Sequence, residues 1–96
     1  MIFAVIDDTA SIFDTWPDYH AATFSPDCDI SAVIPLTIHG STYAQRRDSL
    51  RTVAQDIQRA DNGGMSYDEV ATLADWLSTN ARRYGLANEL RDNGII

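Results

Sequence analysis

The apolar residues change period once along the chain, near Ser41, and that change limits the folds open to it. Before Ser41, short apolar runs are separated by turn formers. After it, apolar residues recur every three or four positions. The first pattern reads as strands and the second as helices.

In "IFAVIDDTASIFDTW" two runs flank the polar "DDTAS", which predicts a β-hairpin with strands near 2–6 and 11–15. The connection contains neither Asn-Gly nor Asp-Gly, so its turn type is left open. "WPDYHAATFSPDCD" follows. Pro17 suits the first turn of a helix, Asp18 suits its dipole, and Ser25-Pro26 stops it, predicting a short helix near 17–24. "SAVIPLTIHG" then supplies a third strand with Ile34, Leu36 and Ile38 on one face. Pro35 has no N–H to donate, which requires an edge position or a bulge.

Beyond Ser41, Tyr43, Arg47, Leu50, Ala54 or Val53, and Ile57 form one stripe. Thr42 and Gln45 have capping-box spacing, and Asn62-Gly63 supplies a stop, predicting a helix near 42–61. Arg46 and Arg47 fall near its first turn, the wrong end for the dipole, and are expected to find partners in the acidic first part of the chain. In "ADNGGMSYDEVATLADWL" Ser66 reads as an N-cap, Glu69 completes its box, and Met65 and Val70 hold the staple positions. Val70, Leu73 or Ala74, Leu77, Ala81 and Tyr84 continue a stripe to Arg82, Arg83 and Gly85, predicting a second helix near 66–84. "LANEL" adds a short helix or turn.

The expected fold is therefore α+β, in the order β-β-α-β-α-α. An N-terminal β-hairpin, short helix and third strand form a small antiparallel sheet packed on a C-terminal helical hairpin. Residues 1–96 read as one domain, with a strand-rich half (1–40) and a helical half (41–96). A single cysteine, Cys28, forms no intramolecular disulfide, and the N-terminus lacks the features of a signal peptide. No apolar run approaches the roughly 18 residues of a membrane helix. A cytoplasmic protein without membrane attachment is expected.

Charge is distributed unevenly. The first 45 residues hold six aspartates (Asp7, Asp8, Asp14, Asp18, Asp27 and Asp29) and no Lys or Arg, whereas the remaining 51 hold eight acids and seven arginines. The local net charges are thus −6 and −1 within a total of −7. Such a surface repels nucleic acid and attracts a basic partner.

No catalytic or cofactor motif accompanies these acids. Aligning Gly63 and Glu69 to an EF-hand places Gln58 and Ala60 at two ligand positions, where neither can neutralise calcium. Asp48-Ser49-Leu50 matches the carrier-protein tripeptide, but the period puts Ser49 inside a helix. His20, His39 and Cys28 are widely separated and lack metal-site or nucleophile spacing. No enzyme, cofactor or metal is expected. Arg46, Arg47, Arg51 and Arg59 could form a basic patch on one helix, with Asp48 and Asp56 between them to weaken it.

Ala74-Asp75-Trp76-Leu77, followed at matching spacing by Ala81-Arg82, resembles a helix of the small acidic anti-CRISPR inhibitors of bacteriophages. The overall profile, short and aspartate-rich, resembles phage inhibitors of CRISPR and restriction systems more broadly. The resemblance implies a non-enzymatic inhibitor in the host cytoplasm that binds a basic, nucleic-acid-handling host protein or ribonucleoprotein complex, such as a CRISPR surveillance complex, as a mimic of DNA; from its charge, no direct contact with nucleic acid is expected. The six aspartates are the candidate contacts, with Trp16 and Tyr19 as aromatic anchors among them. Two alternatives remain: an interaction or oligomerisation module using exposed Tyr43, Tyr67, Trp76 or Tyr84 of the helical hairpin, and an arginine-patch DNA-binding regulator.

Overall fold

Asp7 and Asp8 close the first hairpin by themselves. In the computed structural model of the chain, which describes residues 1–61 and 63–95, both take positive φ angles, 51° and 64°. Two consecutive left-handed residues mark a type I′ turn, whose twist matches that of the strands it joins. Aspartate tolerates this region because its short polar side chain can bond locally. β1 (Ile2–Ile6) and β2 (Thr9–Phe13) therefore pair antiparallel from Ile6↔Thr9 to Ile2↔Phe13. The second strand starts two residues before the expected 11–15, because a two-residue turn replaces the longer "DDTAS" connection.

α1 (Trp16–Ala22) begins at Thr15, whose hydroxyl accepts the Asp18 N–H at 3.3 Å, with Pro17 in the first turn. It ends at Thr23, slightly before the expected 17–24, where both the N–H and the hydroxyl of Thr23 donate to the Tyr19 carbonyl. β3 (Ile30–Pro35) pairs antiparallel with the other side of β1, giving the order β2-β1-β3. Pro35 thus lies on an edge strand, as its missing donor requires, and a bulge interrupts the pairing between Val5 and Ile6.

The helical half lies across the inner face of this sheet, α2 (Tyr43–Ala60) on β3 and α3 (Tyr67–Arg83) on β2, followed by α4 (Ala87–Asp92). Phe3 and Val5 point into the core with Ala10 and Leu36, and Ile12, Ala32, Ile34 and Ile38 pack beside them. Leu50, Ala54 and Ile57 meet them from α2, and Leu73, Leu77 and Ala81 from α3. Tyr84, Leu86 and Leu90 complete the core. Each fully buried large apolar side chain contributes about 1.5–3 kcal/mol, more than a typical helix cap. Capping directs where α2 and α3 start, and burial holds them in place. Both expected capping boxes are formed, Thr42 with Gln45 and Ser66 with Glu69. Of the staple pair, Met65 packs against the core while Val70 is exposed. The expected stop at Asn62 lies outside the described residues, and Asp61 is the C-cap of α2.

The connection between α2 and α3 also closes one edge of the sheet. Since Ile6↔Thr9 is the bonded pair at the turn, the N–H groups of Ala10 and Ile12 face away from β1. Ala10 N–H donates to the Gly63 carbonyl at 3.2 Å, and Ile12 N–H donates to Glu69 Oε2 at 2.6 Å. The approach is close at Gly64, whose φ is 90° and where a Cβ would stand 2.9 Å from Thr9 Cγ2. A stretch that reads in sequence as a helix stop and start therefore also serves as the joint between the two halves.

Candidate functional site

The six aspartates of the first half are all exposed and fall into two groups. Asp7 and Asp29 are bonded to each other: Asp7 N–H donates to the Asp29 carbonyl at 2.8 Å, and Asp29 N–H donates to Asp7 Oδ1 at 3.0 Å. With Asp8 in the turn and Asp27 two residues before Asp29, this makes a group of four at the hairpin end. Asp14 and Asp18 flank the Thr15 cap at the opposite end of β2. The five residues of β2 separate Asp8 from Asp14, six steps of ~3.3 Å or about 20 Å.

The two aromatic candidates part company. Trp16 is 45% exposed between Asp14 and Asp18, and lies near-parallel to the His20 ring at 6.0 Å. Tyr19 is only 8% exposed. Its ring meets Phe13 edge-on at 5.8 Å and Trp16 at 5.6 Å, so it fastens α1 to the outer face of the sheet instead of presenting an anchor. Tyr19 is the buried residue of this seven-residue helix.

Arg46, Arg51 and Arg59 are engaged within or beside the helical half, which corrects the partner expected for Arg46. Its Nε donates to the Tyr84 hydroxyl at 2.7 Å, its guanidinium lies 5.8 Å from the centre of that ring, and Nη1 donates to the Gly40 carbonyl at 3.5 Å. The hydrogen bond from Arg46 holds the Tyr84 phenol below its ordinary pKa. Arg47 Nε is buried without a hydrogen-bond partner among the described residues. Arg51 bridges Glu89 at 2.8 Å and Asp48 at 2.9 Å, and Arg59 lies 3.7 Å from Asp56. Hydrogen bonding to Arg51 lowers the Glu89 pKa, and the same bond raises that of Arg51. Among the described residues every ion pair belongs to the helical half, and none includes the six aspartates. Three of the four arginines expected to form a basic patch are thus tied to side chains of that half.

Glu69 is committed as well: Oε1 accepts the Ser66 N–H at 3.1 Å while Oε2 holds Ile12. The Ser49 hydroxyl, inside α2, accepts the His39 N–H at 2.9 Å. Among the described residues no group of three or more His, Cys, Asp or Glu side chains is placed to hold a metal ion. Of the hairpin aromatics, Tyr43 and Tyr67 are exposed, Trp76 is half-buried against the core and Tyr84 is buried. In the motif that carries the resemblance, Leu77 and Ala81 face the core and Asp75 is exposed. No helix among the described residues is long and apolar enough to cross a membrane. No protein-family model, curated protein or solved structure matches the chain.

Proposed function

We propose that the protein is a non-enzymatic inhibitor that binds a basic, nucleic-acid-handling host protein or ribonucleoprotein through the aspartates of its strand half. A CRISPR surveillance complex is the case the sequence resemblance implies. The observation that carries the reading is the uncompensated charge: six exposed aspartates outside every ion pair among the described residues, in a half without Lys or Arg, whereas the helical half carries seven arginines against eight acids and holds the three ion pairs found there. Carboxylates on a rigid sheet end can take the place of phosphates against a Lys/Arg surface and release the anions held there. The attraction also speeds encounter and weakens with salt.

The test is capture of partners from host lysate by the tagged chain at about 0.05 M and about 0.5 M salt, with identification by mass spectrometry. The comparison is a variant with Asp14, Asp18, Asp27 and Asp29 changed to lysine. Asp7 and Asp8 are kept because they form the turn. A basic partner captured at low salt, and lost at high salt or from the variant, is the expected result. A partner retained by the folded variant at both salt concentrations would overturn the reading.

A further inference from the structure

α1 is too short to cover the outer face of the sheet, and what it leaves bare is apolar. Its seven residues pack on β2 through Tyr19 and Phe13, and Ile2 and Ala4 of β1 are buried on that face. β3 is not covered. Ile30 and Val33, which share the outer face with their partners Ile6 and Ala4, are 41% and 37% exposed. Phe24, in the loop between α1 and β3, is 90% exposed. Residues 30–45 contain no Asp, Glu, Lys or Arg. An uncharged strip therefore runs along β3, with aspartates grouped at both ends of the sheet.

The charge arrangement selects the occupant. Asp7, Asp8, Asp27 and Asp29 stand at one end and Asp14 and Asp18 at the other, about 20 Å apart along the strand direction. A helix rising ~1.5 Å per residue covers that span in about 13 residues, so one helix can lay an apolar stripe on the strip and place a cation at each end. An added strand fits less well. Because Leu36 N–H bonds the Met1 carbonyl, alternation turns Val33 and Pro35 toward the free edge, and Pro35 has no N–H. The bulge between Val5 and Ile6 shortens that edge further. Building on the acidic-surface reading above, we propose that this face docks an amphipathic helix of the basic partner. Its apolar side chains would rest on Ile30 and Val33, and its terminal Lys or Arg residues would meet the two aspartate groups.

The test uses the full chain and a synthetic helical peptide of about 14 residues, with leucines on one face and arginines in its first and last turns. A scrambled peptide of identical composition is the control, and binding is measured by calorimetry. The patterned peptide is expected to bind at least about tenfold more tightly than the scrambled one, and Val33→Asp or Ile30→Asp to weaken it about tenfold. Circular dichroism is the check that each variant is folded, and either folded variant suffices for the comparison. Equal binding of the two peptides, no binding of the patterned peptide at about 100 µM, unchanged affinity in the folded variants, or displacement by an extended β-strand peptide would each overturn docking of a helix. Those results leave the acidic-surface reading to the lysate experiment, whose aspartate variant leaves Ile30 and Val33 untouched.

Discussion

Changing Glu69 to alanine removes two acceptors at once, the one that receives Ser66 N–H within the capping box and the one that receives Ile12 N–H across the joint between the halves. A hydrogen bond to a charged group contributes about 1.5–3 kcal/mol. Glu69 is partly exposed, so the Ile12 bond is worth about 1–2 kcal/mol after screening, and the cap adds about 0.5–1 kcal/mol. The expected loss is about 1.5–3 kcal/mol. With a urea slope near 1 kcal/mol per molar for a domain of this size, the midpoint should fall by roughly 1.5–3 M. Ser66→Ala separates the two duties: it removes the bond from Glu69 N–H to the Ser66 hydroxyl and leaves the contact with Ile12. It should cost only about 0.5–1 kcal/mol. Hydrogen exchange at the Ile12 amide reads the joint directly, and protection should fall in Glu69→Ala and persist in Ser66→Ala. The pH dependence follows from the same geometry. Burial pushes the Glu69 carboxyl up, but the bonds from Ile12 and Ser66 outweigh it and hold the pKa below the usual range. Its contribution is therefore complete above the unfolded pKa, about 4.3, and is lost as pH falls through the lower folded value. The stability gap between the native chain and Glu69→Gln should narrow from about pH 5 to about pH 3. Equal destabilisation by Glu69→Ala and Ser66→Ala, with Ile12 equally protected in both, would refute the tertiary role.

Three other outcomes are expected. Asp8→Gly turns the left-handed Asp-Asp turn into the favoured Asp-Gly form and should stabilise the hairpin by about 0.5–1 kcal/mol, read as a higher melting temperature. Gly64→Ala meets both a φ of 90° and Thr9 Cγ2. It should cost more than about 1 kcal/mol, and a second change, Thr9→Ser, should recover only the steric part, as urea titration of the two variants would show. Glu89→Gln should remove a part of acid sensitivity, because the depressed pKa of Glu89 makes its bond to Arg51 fully stabilising above the unfolded carboxyl pKa and progressively lost below it. The denaturation midpoint of this variant should change less than that of the native chain between about pH 5 and about pH 3.

The helices were legible because their rules are local. Thr42 and Ser66 announce capping boxes with partners three residues away, and the stripes through Leu50, Ala54 and Ile57 and through Leu73, Leu77 and Ala81 repeat at helical spacing. Pro35 narrowed β3 to an edge position or a bulge through its missing donor, and the fold takes the edge. The aspartates were visible too, as residues on the chemically distinct first half. Their grouping was not, because Asp7 meets Asp29 only after β3 returns beside β1, 22 residues later. The same holds for Arg46 with Tyr84, 38 residues away, and for Glu69 with Ile12, 57 residues away. Tyr19 could be placed on a helix from sequence, but its burial depended on Phe13 lying beneath it. Propensity, capping and period act over four or five residues and select the elements. Which polar groups meet depends on how the faces of those elements stack, and burial in a shared core decides that.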